Sequence, residues 1–169
     1  MVVKKIASIV VSSILALSMA ACSSEIVVKG NNTAEIHVGG IKLRLGQLME
    51  NSTSDSGFEL KVDGNTYTIM DSDKNIVVSG TAVNNKCDTV DISGSAYYSY
   101  DIYAFGIILP LKNVIKGIEG GLDVRFRYEG VAGIYNYSTG GTDKDGITYS
   151  IRITIEDNKV TNMRIVRAK

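Results

Sequence analysis

Ile36-His37-Val38-Gly39-Gly40-Ile41-Lys42-Leu43-Arg44-Leu45 lies without gaps over Ile102-Tyr103-Ala104-Phe105-Gly106-Ile107-Ile108-Leu109-Pro110-Leu111, at an offset of 66 residues (102 − 36). Ile, Gly, Ile, Leu and Leu coincide in the two stretches. The register carries on: Leu48 falls over Val114, Met49 over Ile115, and Phe58 to Gly64 over Val124 to Gly130. After seven extra residues in the second copy, placed near Ser138 to Lys144, Asn85-Lys86 falls over Asn158-Lys159, Val78 over Ile151 and Ile92 over Ile165. Self-similarity at a fixed period marks tandem structural units. The chain therefore divides into residues 36–100 and 101–169.

Each unit reads in the same order. A strand with a glycine break, Ile36 to Leu43 or Ile102 to Leu109, leads into a short helix. In the second unit Leu111, Val114, Ile115 and Ile118 follow helical spacing, Pro110 stands at the first turn and Gly120-Gly121 closes the end. The first unit's helix, around Leu45 to Asn51, is undercut by Gly46 and by Asn51-Ser52-Thr53-Ser54. Strands follow over Phe58 to Val62, Thr66 to Met70, Asn75 to Val83 and Thr89 to Ser93, then over Val124 to Tyr128, Gly133 to Tyr137, Ile147 to Glu156 and Lys159 to Arg167. Tyr149, Ile151, Ile153 and Ile155 alternate with Ser150, Arg152, Thr154 and Glu156, the pattern of a half-buried strand. Asp63-Gly64, Asp145-Gly146 and Asp157-Asn158 are hairpin-turn pairs. The expectation is an α+β fold of two tandem units, each a short helix packed on an antiparallel β-sheet.

The first residues carry Lys4 and Lys5, then an apolar run from Ile6 to Ala20, shorter than the roughly 20 residues a spanning helix needs, then small residues. This reads as a secretory signal over residues 1–21. Leu17-Ser18-Met19-Ala20-Ala21-Cys22 resembles the lipobox of bacterial lipoproteins, with Met19 where that family most often has Leu. The resemblance implies cleavage before Cys22, diacylglycerol on its thiol, and a chain held on the extracytoplasmic face of a cell membrane by a tether of residues 22–35. Cys87 is then the one free thiol, so an internal disulfide is excluded and stability must come from a hydrophobic core.

Without Lys4 and Lys5 the chain carries 16 basic residues (18 − 2) against 18 acidic. The basic residues are scattered in sequence, with no cluster of the kind that grips phosphates, so no nucleic-acid partner is expected. With the single histidine His37, a multi-histidine zinc site and a Ser-His-Asp triad are disfavoured. Cys87 falls over Val160 and has no activating neighbour, so it reads as packing. The acidic groups Asp71, Asp73, Asn75 and Asp143, Asp145, Gly146 do not complete a calcium loop: with Gly146 at the sixth position, Arg152 occupies the twelfth, where a bidentate Glu is required. They read as hairpin tips. No cofactor, metal or catalytic residue is expected.

The tyrosines Tyr97, Tyr98, Tyr100 and Tyr103, with Tyr135 and Tyr137 later, are the feature least like a minimal core. Strand alternation would put Tyr98 and Tyr100 with Ile102 in the core and leave Tyr97 and Tyr103 outward. Arg125 and Arg127 would join them in a binding surface. The Gly-Ile strands, the Val-Ile helix stripe and the ending Lys159-Val160-Thr161-Asn162-Met163-Arg164-Ile165 resemble the tandem-repeat secreted lipoproteins of the β-lactamase-inhibitor-protein-like group. That resemblance runs from Ile36 to the C-terminus, with Gly120-Gly121-Leu122-Asp123 where members usually have Leu-Gly then Pro. It implies a sheet surface that binds another protein. The functional expectation is a non-catalytic binding module for a protein or cell-wall component. The competing expectation is an extracytoplasmic enzyme acting on envelope polymers through carboxylates brought together by folding.

Overall fold

The computed structural model describes residues 33–50, 52–53, 57–109, 113–122, 125–131 and 134–168. The expected signal segment, residues 1–21, and Cys22 lie outside the described residues.

The glycine breaks turn out to be hairpins. In the first unit β1 (Glu35–Val38) turns through Gly39-Gly40 into β2 (Ile41–Arg44), and the second unit's β8 (Ile102–Ala104) turns through Phe105-Gly106 into β9 (Ile107–Ile108). Gly39 and Phe105, equivalent by the repeat, both have positive φ, +57° and +54°. A bulky residue is strained there. Burial offsets that strain: Phe105 is 1 % exposed and its ring stacks on Tyr149 at 4.3 Å between centroids.

The rest of the first unit is a meander of β3 (Glu59–Asp63), β4 (Thr66–Met70), β5 (Ile76–Val83), the short β6 (Lys86–Cys87) and β7 (Thr89–Ser93). The second unit's meander is β10 (Arg127–Val131), β11 (Ile134–Thr142), β12 (Thr148–Glu156) and β13 (Lys159–Arg167). Two helices are described, α1 (Gly94–Ser99) and α2 (Val114–Leu122).

The two units do not stand side by side as separate beads. Their hairpins join into a four-stranded sheet, β2-β1-β8-β9. Their meanders join into one long sheet, β10-β11-β12-β13-β7-β5-β4-β3, with β6 paired to β5 off that path. Neighbouring strands in both sheets pair antiparallel, and residues 31–169 form one compact unit.

The pairing registers define an internal two-fold axis. In the small sheet His37 pairs with Tyr103, its own equivalent 66 residues on; in the large sheet Asp91 pairs with Arg164, its own equivalent 73 residues on (164 − 91). The hairpin registers repeat as well: Ile36↔Leu43 and Val78↔Ile92 in one unit, Ile102-to-Leu109 spacing and Ile151↔Ile165 in the other. The seven extra residues are not one block near Ser138 to Lys144. Four lengthen the β10–β11 hairpin, whose Val131↔Ile134 pair lies two pairs beyond the counterpart of Asp63↔Thr66. Three more extend the β11–β12 end.

One face of the small sheet (Ile36, Val38, Ile41, Leu43, Ile102, Ala104) is buried, as are Val78, Val90, Ile92, Ile151, Ile153, Met163 and Ile165 on the facing side of the large sheet, and all belong to one core. The architecture is thus mostly β, two antiparallel sheets packed together, and not the expected α+β pair of helix-on-sheet units. The correction has a local cause. The stretch Leu45 to Glu50 is not a helix: Gly46 has φ +76°, Gly46 N donates to Cys87 O, Met49 N to Asn85 O, and Leu48 bridges to Lys86. Its backbone groups are satisfied by the β6 strand, which leaves no driving force for a helix. In the second unit α2 does form, with Ile118 buried and Gly121 against Ile107, where a Cβ would come within 2.7 Å of that side chain.

The Asp-rich tips are one turn built twice. Asp71 Oδ1 accepts from Asp73 N and Asn75 N, while Asp143 Oδ1 accepts from Asp145 N and Ile147 N, all at 2.7–2.9 Å. Lys74 in one and Gly146 in the other take the positive φ.

Candidate functional site

Beyond the small sheet, the inner face of β10, β11 and β12 is left open and forms an aromatic groove. Tyr128 pairs across the ladder with Tyr137, and Tyr137 with Ile153, so the Tyr137 side chain faces the core side; Tyr135, paired with Ile155, faces the same way. Val114, Ile115 and Lys116 of α2 form one wall, Tyr98 of α1 closes the end, and the groove encloses about 950 Å³. Tyr128 is 56 % exposed and Tyr135 36 %. Their rings stack at 5.7 Å between centroids, and Tyr128 meets Tyr137 at 5.4 Å, tilted by 50°. The Tyr98 hydroxyl accepts from Val160 N at 2.9 Å, which fixes that ring at the groove's end. Desolvation, and next the neighbouring Tyr135 and Tyr137, hold the Tyr128 hydroxyl above the ordinary phenol value, so it is a neutral donor across physiological pH.

The internal axis supplies a second groove, and the contrast shows what the first is made of. Met49, Leu60, Val62, Ala82 and Asn85 line a hollow of about 300 Å³. Their repeat equivalents are Ile115, Phe126, Tyr128, Ile155 and Asn158. One groove is aliphatic and small, its mate aromatic and large. The difference turns on a glycine. Tyr67, equivalent to Tyr137, lies across Gly80 and is 1 % exposed, its hydroxyl donating to Thr89 O at 2.7 Å. In the second unit Ile153 replaces that glycine, so Tyr137 cannot lie flat and stays in the groove.

Of the groove's described lining residues, Glu119 is the one carboxylate. It accepts from Phe126 N at 3.0 Å and lies 3.8 Å from Arg125, so it is engaged in holding α2 to the chain that follows. Among the described residues no three His, Cys, Asp or Glu side chains gather as metal ligands.

The four residues expected to share a surface are not brought together. Tyr97 is 1 % exposed, and Tyr98, expected in the core, is 43 % exposed. The reversal follows from α1: Gly94–Ser99 is helical, capped by Ser93 Oγ accepting from Ala96 N, so strand alternation does not apply. Tyr103 lies on the outer face of the small sheet against His37, at 5.3 Å between rings. Arg125 and Arg127 are exposed, Arg127 on the outer face of the large sheet. Cys22 lies outside the described residues. Tyr135 and Tyr137 stand out in the sequence as candidate surface tyrosines, whereas Tyr128 does not. Its place over Val62 in the repeat was the available signal.

No family model matches the chain, and neither a curated protein nor a solved structure shows significant similarity to it. Among the described residues no helix is long and apolar enough to cross a membrane.

Proposed function

We propose that this protein is an exported, lipid-anchored, non-catalytic binding module that holds an extended peptide segment of a protein or cell-wall partner in the tyrosine groove. The observation that carries the reading is the groove itself: three tyrosines on adjacent strands beside a free sheet edge. Among the described residues β10 is paired on one side only, so its outer backbone groups are available to an added strand while Tyr128 faces inward. Strand addition draws affinity from main-chain hydrogen bonds and specificity from pockets for alternate side chains. Tyrosine suits such a pocket because its ring packs while its hydroxyl still bonds to a polar backbone.

The competing enzymatic reading needs two carboxylates facing one cleft, roughly 5 to 9 Å apart. The single engaged carboxylate of the groove favours binding over hydrolysis.

A photocrosslinking residue in place of Tyr128, in the anchored protein in its native envelope, tests the site. An adduct that protease removes, and that is missing when the probe replaces the exposed Ile108, is the expected result. Equal labelling at both positions, or an adduct that only a glycan-cleaving enzyme removes, overturns it. Intact-mass analysis beside Cys22→Ala tests the anchor separately: the proposal requires a diacylated chain starting at residue 22 that is lost in the variant.

A further inference from the structure

The outer face of the large sheet carries a row that crosses all eight strands through the internal axis: Lys61, Thr68, Ser79, Asp91, Arg164, Arg152, Ser138 and Arg127, each paired directly with the next. By the repeat, Arg127 stands over Lys61, Ser138 over Thr68, Arg152 over Ser79 and Arg164 over Asp91. One half of the row is therefore near neutral, while the other holds three arginines. These arginines are scattered in sequence, and only the strand register gathers them.

Arg152 and Arg164 are directly opposite on neighbouring strands. Like charges in that position destabilise a sheet. Arg164 is relieved on its other side by Asp91, at 3.7 Å. Neither Arg152 nor Arg127 has an ion-pair partner among the described residues, although Glu129 stands two residues along β10 on Arg127's own face. A local rule broken without compensation, in one copy of a duplicated unit and not in the other, is where function is expected to reside.

We propose that Arg127, Arg152 and Arg164 form a binding row for a linear phosphate-bearing polymer, separate from the tyrosine groove on the opposite face. A guanidinium presents a planar fork that matches phosphate oxygens two at a time. At about 4.8 Å per strand, Arg164 and Arg152 are close enough to share one phosphate, and Arg127 reaches another about 10 Å further on. The flanking rows, Ser93-Asn162-Thr154-Asn136-Glu129 and Thr89-Val166-Ser150-Gly140, add hydroxyl and amide groups, with one carboxylate, Glu129, at the β10 end beside Arg127. They offer no aromatic ring on which a nucleobase could stack, and the exposed apolar side chain nearby on this face, Ile134, stands beyond these rows at the β11 end, a single residue where entry into a bilayer would need a patch of them. Both features favour a plain phosphate polymer over nucleic acid or a membrane surface.

The test is a titration of the full chain in neutral detergent micelles with inorganic polyphosphate, beside vesicles containing phosphatidylglycerol and beside polyglutamate. The expected result is polyphosphate binding that weakens at least tenfold in an Arg127→Gln, Arg152→Gln, Arg164→Gln variant, with a salt dependence shallower by about two. Arg152→Gln alone should weaken binding several-fold, which keeps the test decisive if the triple variant misfolds. Lys61→Gln, at the equivalent place in the other half, should change little. Unaltered binding in the arginine variants, an equal loss in Lys61→Gln, or tighter binding to the vesicles or to polyglutamate overturns the proposal.

Discussion

Gly80 holds a position that no other residue can take without moving backbone. A Cβ there would stand 2.0 Å from Thr89 O and 2.7 Å from the Tyr67 hydroxyl. Gly80→Ala should therefore cost about 3 kcal/mol, at the upper end for overpacking, because the close neighbour is a carbonyl and not the tip of a flexible chain. Urea denaturation measures this directly; a loss under about 1 kcal/mol would mean that β7 yields easily. The same packing governs Cys87, 1 % exposed and 3.7 Å from the Tyr67 hydroxyl. Burial pushes its thiol up to about 11, against the opposing effect of the Tyr67 hydrogen bond. Since the thiolate is the reactive form, native Cys87 at pH 8 should resist a soluble disulfide reagent for as long as the chain stays folded, then react at once in denaturant. Prompt reaction in the native protein would show that the region opens locally.

The twin Asp turns allow the contribution of one element to be measured twice. Hydrogen bonding by the Asn75 side chain, followed by the backbone N–H groups of Asn75 and Asp73, holds the Asp71 carboxyl below its ordinary value despite some desolvation. A depressed folded value means stability that is fully present above the unfolded pKa and lost as pH falls through the folded one. The stability gap between wild type and Asp71→Ala should thus be constant from pH 8 to about pH 5 and shrink below about pH 4. Asp143 is bound more deeply, since its Oδ2 also accepts from Ala34 N at 2.8 Å and it is 5 % exposed. Asp143→Ala should cost about 2–3 kcal/mol, because it leaves buried N–H donors without partners. Calorimetric melts across pH test the Asp71 variant and a melt at neutral pH the Asp143 one; a pH-independent loss in the first, or equal losses in the two at neutral pH, would contradict this account. These turns were legible in the sequence, as were the strands Thr66–Met70, Thr89–Ser93 and Lys159–Arg167, because alternation bounded by Asp, Asn and Gly is a strong local signal. The helix Gly94–Ser99 was not, for six residues are too few to show a period and its tyrosines mimic a strand. Nor was the absent helix at Leu45 to Glu50, which is decided by backbone bonds to Cys87 and Asn85 from 36 or more residues away. The groove lay beyond local reading for a related reason: Tyr128, Tyr135 and Tyr137 meet through a hairpin register that the inserted residues had shifted.

At the scale of the whole molecule, the internal axis sets a problem that a duplicated sheet must solve. A residue on the axis faces its own copy, and identical charges there would repel across adjacent strands. The pair at the axis in the large sheet is Asp91 and Arg164, of opposite sign, with Arg164 about half exposed. Asp91 is the more enclosed partner, and burial holds its carboxyl above its ordinary value in spite of Arg164. Asp91→Arg sets three arginines side by side on β7, β13 and β12. Arg164→Asp sets two carboxylates together. Each single change should cost about 1–2 kcal/mol, a modest figure because the pair is partly solvated and screened. The exchanged double variant, Asp91→Arg with Arg164→Asp, restores opposite signs at a place where the two strands are equivalent by the repeat. It should therefore recover most of the loss, with an interaction term of about 1 kcal/mol or more in the double-mutant cycle. High salt should reduce that term, since it is electrostatic and near the surface. Additive losses in the double variant would mean that the two positions differ in their surroundings more than the register implies, and that the symmetry of the pairing does not extend to the energetics of the side chains.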